Sequence, residues 1–206
     1  MRRLDGVSTS RYDASTALIV VDMQNDFAHP DGSLFVTGGD TLLETVNREI
    51  ADARTAGGVV VLTQDWHPSS TPHFVPDGGV WPVHCVAGTW GAELIDGLDP
   101  DHAASALIRK GTNGEDGYSA FAMREPGGSV DLPTGLAGLL HERGVTHTVI
   151  CGLATDVCVA ATATSAASSG FTSTVLWDAA RAVDPSDATL DRVRADLRSA
   201  EVSIVD

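Results

Sequence analysis

Short apolar runs alternate with helical patterns along this chain, and four of the runs hand over to a chemically capable residue. ALIVV precedes Asp22, VVVLTQ precedes Asp65, SALIR precedes Lys110, and TVICGLATDV precedes Cys158. Such alternation predicts a parallel α/β sheet. Residues 17–22 are apolar nearly throughout, as a strand covered by helices on both faces must be. In open sheets of this class, ligands bind beyond the carboxyl ends of the strands. Asp22, Asp65, Lys110 and Cys158 are therefore expected to share one site.

Further strands are expected over 59–64, 105–110, 146–151 and 172–177, with a last one at VSIV. Leu42, Leu43, Val46, Ile50 and Ala53 repeat at helical spacing over 40–55, and Gly57 and Gly58 close that helix. Leu136, Leu139 and Leu140 mark a second helix, and an Ala-, Ser- and Thr-rich stretch after Cys158 marks a third, ending at Gly170. Leu190, Val193 and Leu197 mark a fourth, with Pro185 expected in its first turn. From Trp66 to about Asp101 the chain is rich in Pro, Gly and His without periodicity, which reads as a binding loop. The fold class expected is α/β: a three-layer, open parallel sheet with helices on both faces. Residues 1–16 read as a flexible N-terminal arm and 17–206 as a single domain.

Charge narrows the partners. A net charge of −15 with only 13 Lys and Arg cannot readily supply the basic patch that nucleic acid or an anionic membrane requires. A small-molecule substrate fits better. The three cysteines, Cys85, Cys151 and Cys158, form an odd and sparse set that suits a reducing compartment. The residues before Ala17 lack the apolar core of a signal peptide, and no apolar stretch approaches the roughly 18 residues of a membrane span. A cytoplasmic protein is expected, with a homo-oligomer left open.

Cys158 is placed just after a strand, near a helix start, where unpaired N–H groups and the dipole favour thiolate and could hold an oxyanion. Cys151, inside an apolar run, and Cys85 read instead as small core packers. Asp22 is the candidate base, since burial lifts a carboxyl toward the range useful for proton transfer, though an acid at a strand end more often caps a turn. Lys110 is the candidate cation, and as a lone residue it reads equally well as a solvated strand-end lysine. A second cluster, Asp65, His67, His73 and His84, offers three imidazoles and a carboxylate to one divalent metal ion, with zinc, iron or manganese all compatible.

Together VVDMQNDF, QDWHPSSTPHF, WPVHCVAGTWGAEL, RKG, DGYSAF and GLATDVCV resemble the isochorismatase-like cysteine hydrolase superfamily and, within it, the nicotinamidase (pyrazinamidase) family. The resemblance spans nearly the whole chain after Ala17. It implies an amidohydrolase that converts nicotinamide to nicotinate and ammonia through a cysteine thioester. It assigns Asp22, Lys110 and Cys158 as a catalytic triad, and Asp65, His67, His73 and His84 to a metal, zinc foremost, that orients the pyridine ring. It further implies an oxyanion hole from the backbone amides of Ala154 and Cys158, a cis peptide between Leu153 and Ala154, and Phe27, Trp81 and Tyr118 around the ring. Val157 departs from the aromatic residue or histidine often found before the nucleophile. A related C–N hydrolase for a ureido or carbamoyl substrate is the alternative, followed by a non-enzymatic metal-binding protein.

Overall fold

The computed structural model describes residues 11–99, 101–126, 128 and 131–206. Six parallel strands form the central sheet in the order β3-β2-β1-β6-β7-β8. They are β1 (Thr16–Val21), β2 (Val59–Asp65), β3 (Ala106–Lys110), β6 (His147–Leu153), β7 (Thr172–Arg181) and β8 (Ser203–Val205). A short antiparallel pair, β4 (Ala122–Arg124) and β5 (Asp131–Pro133), lies outside it.

Side-chain alternation along β1 divides the core in two. Leu18 and Val20 join one apolar cluster with Val46, Ile50 and Ala53 of α2 (Leu43–Thr55). Ala17, Ile19 and Val21 join another with Leu136 and Leu140 of α3 (Leu136–Glu142), Ala163 and Ala166 of α4 (Ala160–Ser168), and Val193 and Leu197 of α5 (Asp187–Ser199). The sheet is thus covered on both faces, as the continuous apolar strands require.

Strand order reverses between β1 and β6. From β1 the chain steps outward to β2 and β3, then returns to the other side of β1 as β6. Ligand crevices form at such a switch point. The two strands approach closely here: a Cβ on Gly152, at φ +107°, would meet the backbone oxygen of Val21 at 2.2 Å. Only glycine satisfies both the left-handed backbone and the contact.

Several expectations need correction. Residues 1–10 of the expected arm lie outside the described residues, but 11–16 are not free: Tyr12 is buried and its hydroxyl donates to Glu49 Oε2 at 2.6 Å on α2. The aromatic ring belongs to the core, so the arm cannot extend to residue 16. Pro185 precedes α5 rather than entering it, because Ser186 is the N-cap and its Oγ accepts from Thr189 N at 3.4 Å. The first turn of the 40–55 helix is a 3-10 turn, Gly39–Leu42. A four-residue helix, α1 (Asn25–Ala28), and the β4–β5 pair carried no readable periodicity. Among the described residues, no helix is long and apolar enough to cross a membrane.

Gly152→Ala tests the switch-point contact. Overpacking together with a left-handed non-glycine residue should cost about 3 kcal/mol or more in urea unfolding. An unchanged unfolding midpoint would show that β1 and β6 are farther apart than described.

Candidate functional site

Three strands end on the site. Asp22 follows β1, Asp65 closes β2, and Lys110 closes β3, with Asp65 and Lys110 paired in register. Cys158 comes one turn after β6, in the π-helical segment Thr155–Val159 that leads into α4. The Leu153–Ala154 peptide joining that segment to β6 is cis.

Lys110 is fully buried, and its Nζ donates to Asp22 Oδ2 at 2.7 Å. It also reaches Asp65 Oδ1 at 2.8 Å, Cys158 Sγ at 3.5 Å and the carbonyl oxygen of Tyr118 at 3.3 Å. Carboxylate oxygens of Asp22 and Asp65 lie within 4.8 Å of each other and of Cys158 Sγ. The ammonium fills the space between these three groups, so they serve as partners of a lysine rather than as a metal shell. Asp22 has φ +48°, a left-handed conformation that aspartate tolerates. Thr63 on β2 secures it twice, accepting from Asp22 N at 3.1 Å and donating its hydroxyl to Asp22 Oδ1.

The electrostatics follow from burial around one cation. Loss of solvent, aided by the charge on Asp65, pushes the Asp22 carboxyl up, against the pull of Lys110. Burial acts on Asp65 in the same sense, but the Lys110 ammonium overcomes it and holds this carboxyl well below the usual range. Lys110 stays protonated: burial opposes the charge, yet Asp22 and Asp65 outweigh it. For Cys158, burial pushes the thiol up and Lys110 only partly compensates. The thiolate expected from a helix start is therefore not the resting form. The thiol is buried beneath the first helical turn.

The other half of the site is built by the 66–105 segment. His67 pairs as an isolated bridge with Val86, and Phe74 with Trp81, folding the segment back on itself. His67, His73 and His84 thereby converge, each offering a nitrogen within 4.8 Å of the others. Phe74 is fully buried beneath them, its ring centroid 5.4 Å from His67 and His84 and 6.3 Å from His73. Asp65 turns Oδ2 toward Nε2 of His67 at 3.8 Å and of His84 at 4.0 Å, both beyond hydrogen-bond reach. Gln24 holds the Asp65 backbone from both sides, accepting from its N–H at 2.8 Å and donating to its carbonyl at 2.7 Å.

His67 decides what this cluster can hold. It is buried, yet neither ring nitrogen has a hydrogen-bond partner. An imidazole so placed is costly unless a cation takes its lone pair. The donor set of three imidazoles and one carboxylate suits a divalent ion. Burial also keeps His73 and His84 in the neutral form that ligation needs, by pushing their pKa values down.

Both halves open on one cavity whose lining includes Asp65, His73, His84, Ala154 and Cys158. Phe27, Trp81 and Tyr118 line it as well, with the Trp81 Nε1 donating to the Tyr118 hydroxyl at 3.1 Å. Val157, already marked out beside the nucleophile, completes an apolar wall with Leu34, Val36 and Val183, which the sequence did not mark out. Thr63, Gln24 and Phe74 were missed too, though Thr63 and Gln24 each stand two residues from a strand-end acid. Cys85 and Cys151 are buried in the apolar core and do not line the cavity.

The isochorismatase domain matches residues 16–204. A nicotinamidase of Acinetobacter baylyi is 42% identical over 185 residues, covering 82% of each chain. Among solved structures, PnC1 from L. infantum in complex with nicotinate superposes with a TM-score of 0.85 at 41% identity, over 95% of this chain and 94% of its own. The pyrazinamidase of Pyrococcus horikoshii in complex with zinc gives 0.80 at 38%, over 93% and 99%.

In metal-free protein, Lys110→Met strands Asp22 and Asp65 against each other without a cation. Urea unfolding should show a loss of about 3–5 kcal/mol at neutral pH. Two such carboxyls ionise later in the folded than in the unfolded chain. Their contribution is present below the unfolded pKa and is lost as pH rises through the folded one. The variant's deficit should therefore shrink on acidification toward pH ~5; a deficit constant with pH would contradict the shared-cation arrangement.

Proposed function

Because the chain belongs to the isochorismatase domain family, we propose that its cavity hydrolyses nicotinamide to nicotinate and ammonia. The observation that carries this reading is that Cys158, whose thiol is backed by Lys110 and Asp22, lines the same cavity as His73 and His84, two of the three imidazoles suited to a cation. Its nicotinamidase relatives and the nicotinate and zinc found in the two solved neighbours support it.

Asp65, His67, His73 and His84 would hold one divalent ion, zinc foremost, with iron and manganese allowed by the same donors. When bound, that ion supplies a Lewis-acidic anchor for the pyridine nitrogen. Phe27, Trp81 and Tyr118 flank the ring, and the apolar wall excludes water from it. The carboxamide is thereby presented to Cys158.

Asp22, its carboxyl raised by burial, takes the proton of the Cys158 thiol as Sγ attacks the amide carbon. The carbonyl oxygen becomes an oxyanion facing the backbone N–H groups of Ala154 and Cys158. As the C–N bond breaks, Asp22 returns the proton to the leaving nitrogen and ammonia departs. A water then gives its proton to Asp22 and attacks the thioester. The C–S bond breaks as Asp22 returns that proton to Sγ, regenerating the thiol, and the product gives its acid proton to solvent and leaves as nicotinate. Throughout, Lys110 stays cationic and fixes the orientation of Asp22 toward the thiol.

The test is release of nicotinate and ammonia from nicotinamide by metal-loaded protein. Cys158→Ala should lower kcat by at least about a thousandfold. A chelated sample should lose turnover and regain it on adding Zn²⁺. Turnover on ureido or carbamoyl compounds but not on nicotinamide would favour the related C–N hydrolase. Full activity in Cys158→Ala would remove the thiol from the reaction.

A further inference from the structure

His73 reaches the cluster from the loop, and a single side chain sets its other face. Its Nδ1 lies 3.2 Å from Asp116 Oδ1, while only 6% of the His73 side chain is exposed. The other two imidazoles are treated differently. His84 Nδ1 donates to the Pro82 carbonyl at 2.6 Å, a backbone contact local to the turn. His67 Nδ1 faces Gly111, where an added Cβ would come within 2.4 Å, so packing alone holds that ring.

Asp116 is itself fixed. Its backbone exchanges two hydrogen bonds with Arg124, at 2.9 and 2.6 Å, at the end of β4. Its Oδ2 accepts from Arg124 Nη2 at 3.1 Å, and Oδ1 accepts from Gly117 N at 2.8 Å. The carboxylate thus accepts two hydrogen bonds, on a backbone that is itself pinned to Arg124, before it meets the imidazole.

We propose that Asp116, clamped by Arg124, is a positioning residue for the metal centre: it holds the proton of His73 on Nδ1 and so commits Nε2 to the ion. The inference deepens the metal-dependent reading of the site and rests on it. An imidazole fixed in one tautomer and orientation binds without first reorganising, and partners of this type typically contribute 10–100-fold in metal affinity. Asp116 also stands two residues from Tyr118, whose ring lines the cavity and whose carbonyl accepts from Lys110. The same short segment therefore reaches the imidazole cluster, the aromatic wall and the buried lysine. This gives a half-exposed carboxylate, with 48% of its side chain accessible, a role that its exposure conceals.

The experiment measures Zn²⁺ affinity by competition with a chromogenic chelator, alongside thermal melts of the metal-free proteins. It is repeated with Co²⁺, whose visible absorption reports ligand geometry. Asp116→Ala should bind Zn²⁺ about 10–100-fold more weakly and change the Co²⁺ spectrum, with a metal-free Tm equal to wild type. Asp116→Asn, which keeps an acceptor for the Nδ1 proton, should lie nearer wild type than Asp116→Ala. Unchanged affinity and spectrum in Asp116→Ala would overturn the inference. So would equal losses in both variants with a lowered metal-free Tm, which would mark a merely structural residue. A wild type that binds neither Zn²⁺ nor Co²⁺ would instead overturn the metal-dependent reading itself, and the inference with it.

Discussion

A fully buried ammonium between two carboxylates is the contact on which this site depends. Desolvating Lys110 is unfavourable by itself, and the loss is recovered only because Asp22 and Asp65 both lie within hydrogen-bond distance. Each carboxylate then has a second employment. Asp22 turns toward the thiol, and Asp65 turns its other oxygen toward the imidazoles. One lysine joins what would otherwise be two separate clusters, and it does so across the ends of three adjacent strands, β1, β2 and β3.

The same burial sets the chemistry. A thiol held up by desolvation is not spontaneously nucleophilic, and a carboxyl raised by the same cause is a better proton acceptor than one in water. Placing both around a permanent cation keeps the net charge of the pocket low while leaving one proton to move. Asp65, held ionised, does not compete for that proton and remains available as a ligand. The two acids are thus differentiated by environment rather than by type.

Much of the framework was legible in the sequence because strand periodicity and strand ends are local signals. Asp22, Asp65, Lys110 and Cys158 fall where the apolar runs end, and a parallel sheet brings such ends together. The three histidines stood out by residue type, but not the means of their convergence, since the bridges at His67 and Phe74 join residues of an aperiodic segment. The contact between Lys110 and Asp65 was hidden because register between β2 and β3 is a tertiary property. Thr63, Gln24 and Phe74 look ordinary as letters. Their roles arise from what they face. The arm was misjudged at Tyr12 for the same reason, a polar stretch masking one core ring.

The most direct test of this account is anomalous diffraction at the zinc edge from crystals soaked with Zn²⁺ and nicotinate. A single zinc peak is expected, bounded by Asp65, His67, His73 and His84, with the ring nitrogen toward it and the carboxylate against Cys158 Sγ. Zinc seated between Asp22, Asp65 and Cys158 with Lys110 displaced, or nicotinate bound away from the thiol, would contradict it.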